Sequence, residues 1–322
     1  MDYRKICIVG PGAVGGMMAV LLKHAGADVS ALARPTKAAA MKAKGLTLKL
    51  ADKTLTEAMP ASSDPKELGV QDLVVVTLKS NALLSAARDI AALCGPKTEV
   101  VFAMNGLPWW FFDNFGGALA GRRITAIDPD GLLARTFPND RVVWSVVNCS
   151  VIERADGVIE HTRAQQLIMG RPDNDPRELD AIAAVFQPAG YKATASPNIR
   201  NDVWAKLVVN AAGNPVSALT GALLGQMFDD PLVRECQEGI ALEVRTLGAK
   251  FGFETDPDPI RFQKGTLVRT SMLQDLERGR PLELGSIVAA AVEIGEAAGH
   301  PMPLTRAIFG LTRLRAAVGG FA

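Results

Sequence analysis

Residues 6–16 read Ile6-Cys7-Ile8-Val9-Gly10-Pro11-Gly12-Ala13-Val14-Gly15-Gly16, and the chain continues as Met17-Met18-Ala19-Val20-Leu21-Leu22. A short apolar run stops at a Gly-x-Gly-x-x-Gly loop, and an apolar helical stretch follows. Strand, phosphate loop and helix are the expected order. Gly10 permits a tight turn, Gly12 lets backbone amides approach a pyrophosphate, and Gly15 lets the helix pack closely on the strand. Ala13 and Val14 then sit in the first helical turn, where free N–H groups and the helix dipole favour phosphate. The glycine pattern alone is weak, but placed after a strand and before a helix it predicts a dinucleotide site at Gly10, Gly12, Ala13, Val14 and Gly15.

Working outward, Asp28-Val29-Ser30-Ala31-Leu32-Ala33 reads as a second strand, and a helix from Pro35 through Ala43 ends at Gly45. Leu46 to Leu50 reads as a short excursion strand. Leu73-Val74-Val75-Val76-Thr77-Leu78 and Glu99-Val100-Val101-Phe102-Ala103-Met104 are continuous apolar runs suited to parallel strands buried on both faces. Each ends in polar residues, Lys79-Ser80-Asn81 and Asn105-Gly106, and in open parallel sheets ligands bind at the carboxyl ends of strands. From Ile124 to Gly170 the pattern is β-rich, with a turn at Asp156-Gly157. The polar stretch from Gly170 to Pro176 is the best linker candidate. Beyond it the periodicity is helical, with long amphipathic stretches from Pro231 to Phe251 and from Leu284 to Ala298. The chain is therefore read as α/β with two domains: a Rossmann nucleotide-binding domain over 1–172 and a helical domain over 173–322.

An acidic residue near the end of the second strand would accept hydrogen bonds from a ribose 2′-hydroxyl, but this chain has Arg34 there. A guanidinium pairs bidentately with a 2′-phosphate, so the cofactor expected is NADPH, with Thr36 and Lys37 available for further contacts.

Composition narrows the function classes. Of the 322 residues 48% are hydrophobic and 21% charged, with 35 basic and 34 acidic side chains mixed along the chain for a net charge of +1. No basic footprint for nucleic acid stands out, and no apolar run is long enough to span a bilayer. The start, from Met1 to Lys5, shows no export signal, so a cytoplasmic location is expected. Cys7, Cys94, Cys149 and Cys236 are widely separated and form no Cys-x-x-Cys pair, and His24, His161 and His300 show no ligand spacing, so neither a metal nor a disulfide framework is implied.

The stretch Asn201-Asp202-Val203-Trp204-Ala205-Lys206-Leu207-Val208-Val209-Asn210-Ala211-Ala212-Gly213-Asn214-Pro215 carries the chemistry. In a helix Lys206, Asn210 and Asn214 recur at four-residue spacing on one face. A lysine partly desolvated in such a segment gives up its proton more readily. A lysine whose stem packs while its head reaches solvent fits the same spacing.

With this stretch the sequence resembles the ketopantoate reductase (2-dehydropantoate 2-reductase) family, over nearly the whole chain. The resemblance rests on ordered features: Gly10/Gly12/Gly15, Lys79 at a strand end, Asn105-Gly106 after the next strand, Lys206/Asn210/Asn214, Ser271-Met272-Leu273-Gln274-Asp275, and Glu283 downstream. It implies a Rossmann domain followed by an all-helical domain with the active site in the cleft between them. The reaction implied is hydride transfer from NADPH to a small 2-oxo acid substrate, ketopantoate becoming pantoate on the way to pantothenate and coenzyme A. By the same resemblance Lys206 donates the proton and Glu283 holds a substrate hydroxyl. Asn210, Asn214 and Ser271 orient substrate, while Asn105 and Lys79 lie near the nicotinamide.

Two departures bear on the substrate. Leu107-Pro108-Trp109-Trp110-Phe111-Phe112 replaces small residues after Asn105-Gly106, and Leu284 follows Glu283. The aromatic run could line the cofactor or substrate side of the cleft, form a core patch or make a subunit contact. Another 2-oxo acid, an opine-like substrate, or a catalytically silent NADPH-binding redox sensor remain as alternatives. The long amphipathic helices bury their apolar faces either within the domain or against a second copy, as in a homodimer.

Overall fold

The computed structural model describes residues 3–321, so Met1, Asp2 and Ala322 lie outside the described residues. The chain divides into two compact units, Met1–Met104 with Leu132–Ile199, and Asn105–Gly131 with Arg200–Ala322.

The first unit opens with β1 (Lys5–Val9), α1 (Ala13–His24), β2 (Asp28–Leu32) and α2 (Pro35–Lys44). A hairpin, β3 (Leu46–Lys49) and β4 (Thr54–Glu57), follows, then β5 (Ala61–Ser62), α3 (Pro65–Leu68), β6 (Gln71–Val76), α4 (Ser80–Ala92) and β7 (Cys94–Ala103). The unit resumes with α5 (Leu132–Thr136), β8 (Val142–Glu153), β9 (Ile159–Gly170), α6 (Leu179–Phe186) and β10 (Lys192–Ala195). Among the described residues these strands form one sheet in the order β4-β3-β9-β8-β7-β6-β1-β2-β5, with β10 pairing β9. Its centre is parallel: β1 lies between β2 and β6, with Val9 opposite both Leu32 and Val76. Ile6, Ile8, Leu73 and Val75 are buried on a sheet covered by helices, as the unbroken apolar runs predict. In α1 every residue from Gly15 to Leu22 is buried, which explains an apolar segment with little amphipathic contrast.

The β-rich reading of Ile124 to Gly170 holds only from Val142 onward. There β8 and β9 form a long antiparallel pair around the expected Asp156-Gly157 turn, with Asp156 Oδ1 accepting from the Val158 amide at 3.0 Å. β9 is one long strand, with register shifts opposite Cys149–Val151.

The second unit is helical: α7 (Ile199–Thr220), α8 (Leu224–Asp229), α9 (Pro231–Ala249), α10 (Ser271–Glu277), α11 (Ala290–Ala297) and α12 (Pro303–Val318). A π-helical turn, Gly285–Ala289, runs directly into α11, so the amphipathic stretch read from Leu284 changes its pitch partway. None of these helices is long and apolar enough to cross a membrane.

The unit boundaries differ from the division at 172/173 in two places. Residues 173–199 stay with the first unit because β10 adds to the sheet in parallel register with β9, Ala193 opposite Leu167. The polar stretch read as a linker is pinned there by Arg171. Its fully buried guanidinium donates to the carbonyls of Arg177 and Asp140, both at 3.0 Å, and faces Glu99 at 2.8 Å. Conversely, Asn105–Gly131 belongs to the second unit. Trp109, Trp110, Phe111 and Phe112 are all buried. The Phe111 ring meets those of Trp204 and Phe253 at 5.7 and 5.6 Å, and Phe112 meets Phe251 at 5.8 Å. Of the readings left open for this aromatic run, the core patch is the one the structure shows.

Candidate active site

Apart from Asn105, the residues assigned to the cofactor lie at the carboxyl ends of β1, β2 and β6 in the first unit. Gly10 holds φ +83°, a left-handed conformation that side-chain-bearing residues rarely adopt, and its amide donates to the Leu32 carbonyl at 3.0 Å. The Gly12 amide turns back onto the Gly10 carbonyl at 2.7 Å. A Cβ at Gly12 would meet nothing, which leaves the loop open to a ligand, whereas a Cβ at Gly15 would overlap the Thr77 hydroxyl and come within 2.6 Å of the Gly10 carbonyl oxygen. No side chain caps α1 and no acidic residue occupies its first turn. The amides of Ala13 and Val14 therefore stand without intrahelical acceptors, as at any helix start, in a field that favours an anion. The cradle fits the pyrophosphate of a dinucleotide.

Arg34 lies two residues past the end of β2, is exposed, and precedes Pro35 at the first position of α2. Lys37, read as a further contact, is engaged by Glu153 at 2.6 Å. Lys79 is partly buried and forms the N-cap position of α4, just past the end of β6.

The other assigned residues lie in the second unit. α7 runs unbroken past Asn214 with Pro215 inside it, so Lys206, Asn210 and Asn214 fall along one face as their spacing predicts. Lys206 is partly buried, while Asn210 and Asn214 are buried. Asn210 Nδ2 is a buried donor without a hydrogen-bond partner among the described residues. Such a group costs stability unless something uses it, and a bound carboxylate would.

Glu283 is buried, two residues before the π-helical turn. That turn packs on Asn105-Gly106. Leu107 N donates to the Ser286 carbonyl at 2.9 Å, and Gly106, at φ +86°, leaves no room for a Cβ, which would come within 2.6 Å of Ser286 Cβ. The Asn105 segment and the Glu283 segment are thus brought together within one unit. π-helical turns recur at functional sites. Ser271 is exposed at the first position of α10, whose N-cap Thr270 accepts from the Leu273 amide at 3.1 Å.

Two features escape a reading by motif. Ser286 is an ordinary serine in sequence and gains its place only through contact with Gly106. Gln237 and Gln263 are fully buried amides lying behind α7 at Gly213, and Gln237 Nε2 donates to the Ala212 carbonyl at 3.4 Å. Pro215 has no N–H to offer the Ala211 carbonyl four residues back, and Gln237 reaches the next carbonyl along, that of Ala212. Nothing local to either glutamine signals this.

The family model for the N-terminal part of ketopantoate reductase PanE/ApbA matches residues 6–111, and that for its C-terminal part matches residues 198–316. A 2-dehydropantoate 2-reductase of Mesorhizobium japonicum is 37% identical over 315 residues, covering 96% of this chain and 97% of the relative. A crystal structure from Ralstonia solanacearum MolK2 superposes with a TM-score of 0.93 at 39% identity, covering 100% of both chains. That of 2-dehydropantoate 2-reductase from Geobacter metallireducens GS-15 superposes at 0.84 with 27% identity, covering 97% of this chain and 99% of the other. Full-length similarity at this level, with both family models in order along the sequence, establishes that the chain belongs to the ketopantoate reductase family of oxidoreductases.

Proposed function

We propose that this enzyme reduces 2-dehydropantoate to pantoate with NADPH, through Lys206, Glu283, Asn210, Asn214, Ser271 and Asn105. The observation that carries the reading is the α7 face, on which a partly buried ammonium and two buried amides stand in one row. The 37% identical relative named for this reaction supports the substrate.

Bound NADPH supplies the hydride that adds to the ketone carbon. Lys206 donates a proton to the oxygen as the carbonyl π pair becomes an alkoxide, and its positive charge stabilises that oxygen where water is scarce. Glu283 accepts a hydrogen bond from the substrate hydroxyl, which orients the carbon chain. Asn210 and Asn214 donate to the substrate carboxylate, and Ser271 adds a hydroxyl contact. Asn105 and Lys79 would hold the nicotinamide end of the cofactor. The loop from Gly10 to Gly15 would hold the pyrophosphate, and Arg34 would pair with the 2′-phosphate that distinguishes NADPH from NADH.

The protein acts in the cytoplasm, where NADPH and a small oxo acid are both in solution. Leu304, Leu311 and Val318 are exposed at seven-residue spacing along α12 and support a homodimer; light scattering would return the monomer mass if that reading fails.

The test of the reaction is the initial rate of NADPH oxidation with 2-dehydropantoate beside a panel of other 2-oxo acids. The reading expects 2-dehydropantoate to have the highest kcat/KM. A faster acid elsewhere in the panel assigns a different substrate to the same machinery, and tight NADPH binding with no turnover of any acid makes the protein a cofactor sensor.

A further inference from the structure

The hydroxyl of Thr77, just past the end of β6, stands at the base of the phosphate loop. Thr77 Oγ1 lies 2.8 Å from the Gly10 carbonyl oxygen and 3.1 Å from that of Val9. The Val9 carbonyl already receives the Thr77 amide at 2.9 Å, so the one hydroxyl proton serves Gly10 at the shorter distance. The Gly12 amide reaches the same Gly10 oxygen from the loop side at 2.7 Å. The Gly10–Pro11 peptide has no N–H, and its only polar group is this carbonyl. Turned outward, the carbonyl would present a negative dipole end to the phosphates. Held inward by two donors, it leaves the amides at the start of α1 as the groups that face the ligand. Gly15 completes the arrangement, because a side chain there would displace the Thr77 hydroxyl.

We propose that Thr77 is a positioning residue for the cofactor: its hydroxyl fixes the Gly10 carbonyl inward and so sets the phosphate loop for the pyrophosphate. The inference rests on the nucleotide-binding reading of that loop and is independent of which oxo acid is reduced. Valine at this position keeps the shape of threonine and the backbone pairing of β6 with β1, while serine keeps the hydroxyl.

The experiment is a direct titration of wild type, Thr77→Val and Thr77→Ser with NADPH and with NADH, followed by intrinsic tryptophan fluorescence, beside kcat at saturating NADPH and the thermal midpoint of each protein without ligand. Thr77→Val is expected to raise the Kd of NADPH and of NADH by the same factor, about tenfold, because the two share the pyrophosphate. Thr77→Ser is expected to restore it, and kcat and thermal midpoint should move far less than affinity. Wild-type affinity in Thr77→Val overturns the proposal, as does Thr77→Ser binding no better than Thr77→Val, or a loss confined to NADPH. A wild-type protein that binds neither nucleotide removes the nucleotide-binding reading itself, an outcome distinct from these.

Discussion

Arg200 ties the first turn of α7 to the aromatic stretch that follows Asn105, its Nε donating to the Phe111 carbonyl at 2.8 Å across 89 residues of sequence. Its Nη2 donates to the Asp113 carbonyl, and the guanidinium carbon stands 5.5 Å from the centre of the Trp110 ring. The helix bearing Lys206 therefore starts from a buried cation seated on the core of its own unit. Arg200→Met keeps the stem but strands two carbonyls and removes the cation–π contact. It should lower the unfolding free energy by about 2–4 kcal/mol, read from urea midpoints at unchanged m-value.

Glu99 and Arg171 form a buried pair in the first unit at 2.8 Å. Glu99 faces a guanidinium whose other donors go to backbone carbonyls, so removing the carboxylate leaves an uncompensated buried charge. Glu99→Gln should destabilise by about 3–5 kcal/mol, and the double variant Glu99→Leu/Arg171→Met should recover much of that loss. A double-variant cycle by chemical denaturation measures both.

Alkaline stability should fall in a defined window. Burial pushes the Cys7 thiol up from 9.0 to about 11, an effect that its contact with Ser30 only partly opposes, and burial pushes Cys94 to about 11 as well. Between those values the unfolded chain releases thiol protons that the folded chain retains, so stability is fully present below pH 9 and is lost as pH rises toward 11. For Cys7 the two-unit shift is worth about 2–3 kcal/mol. Cys7→Ala should flatten this part of the stability–pH curve relative to wild type at the same ionic strength.

Arg34 is exposed at the end of β2, with Ala33 before it and Pro35 after it. Arg34→Ala should raise the KM for NADPH by about tenfold or more and leave that for NADH within about twofold, because only the 2′-phosphate loses its partner. Equal losses for both cofactors would place Arg34 outside the 2′-phosphate contact.

What the sequence disclosed was local. β1, the glycine loop and α1 are contiguous, and each residue type there answers to a constraint within a few neighbours, so the reading and the structure coincide. The same holds for the Lys206–Asn214 row, which needs only helical periodicity. The unit boundaries were not legible because they depend on pairings across long separations. β10 is a four-residue strand whose place comes from β9, and the polar prolines before it read as a linker until Arg171 is seen reaching Glu99. The aromatic run at Trp109–Phe112 is apolar whether it lines a pocket or fills a core, and its partners, Trp204, Phe251 and Phe253, lie 93 to 142 residues on. Thr77 was read only as the end of a buried strand. Its hydroxyl acquires meaning through the Gly10 carbonyl, which the register of β6 on β1 brings to it.

The most direct test of the account is the turnover of Lys206→Ala with 2-dehydropantoate, measured beside its NADPH affinity. The account predicts a kcat at least about 100-fold below wild type, with the Kd for NADPH changed by less than about twofold, since the ammonium is required where the alkoxide develops and not where the cofactor binds. A Lys206→Ala enzyme that turns over at the wild-type rate contradicts it.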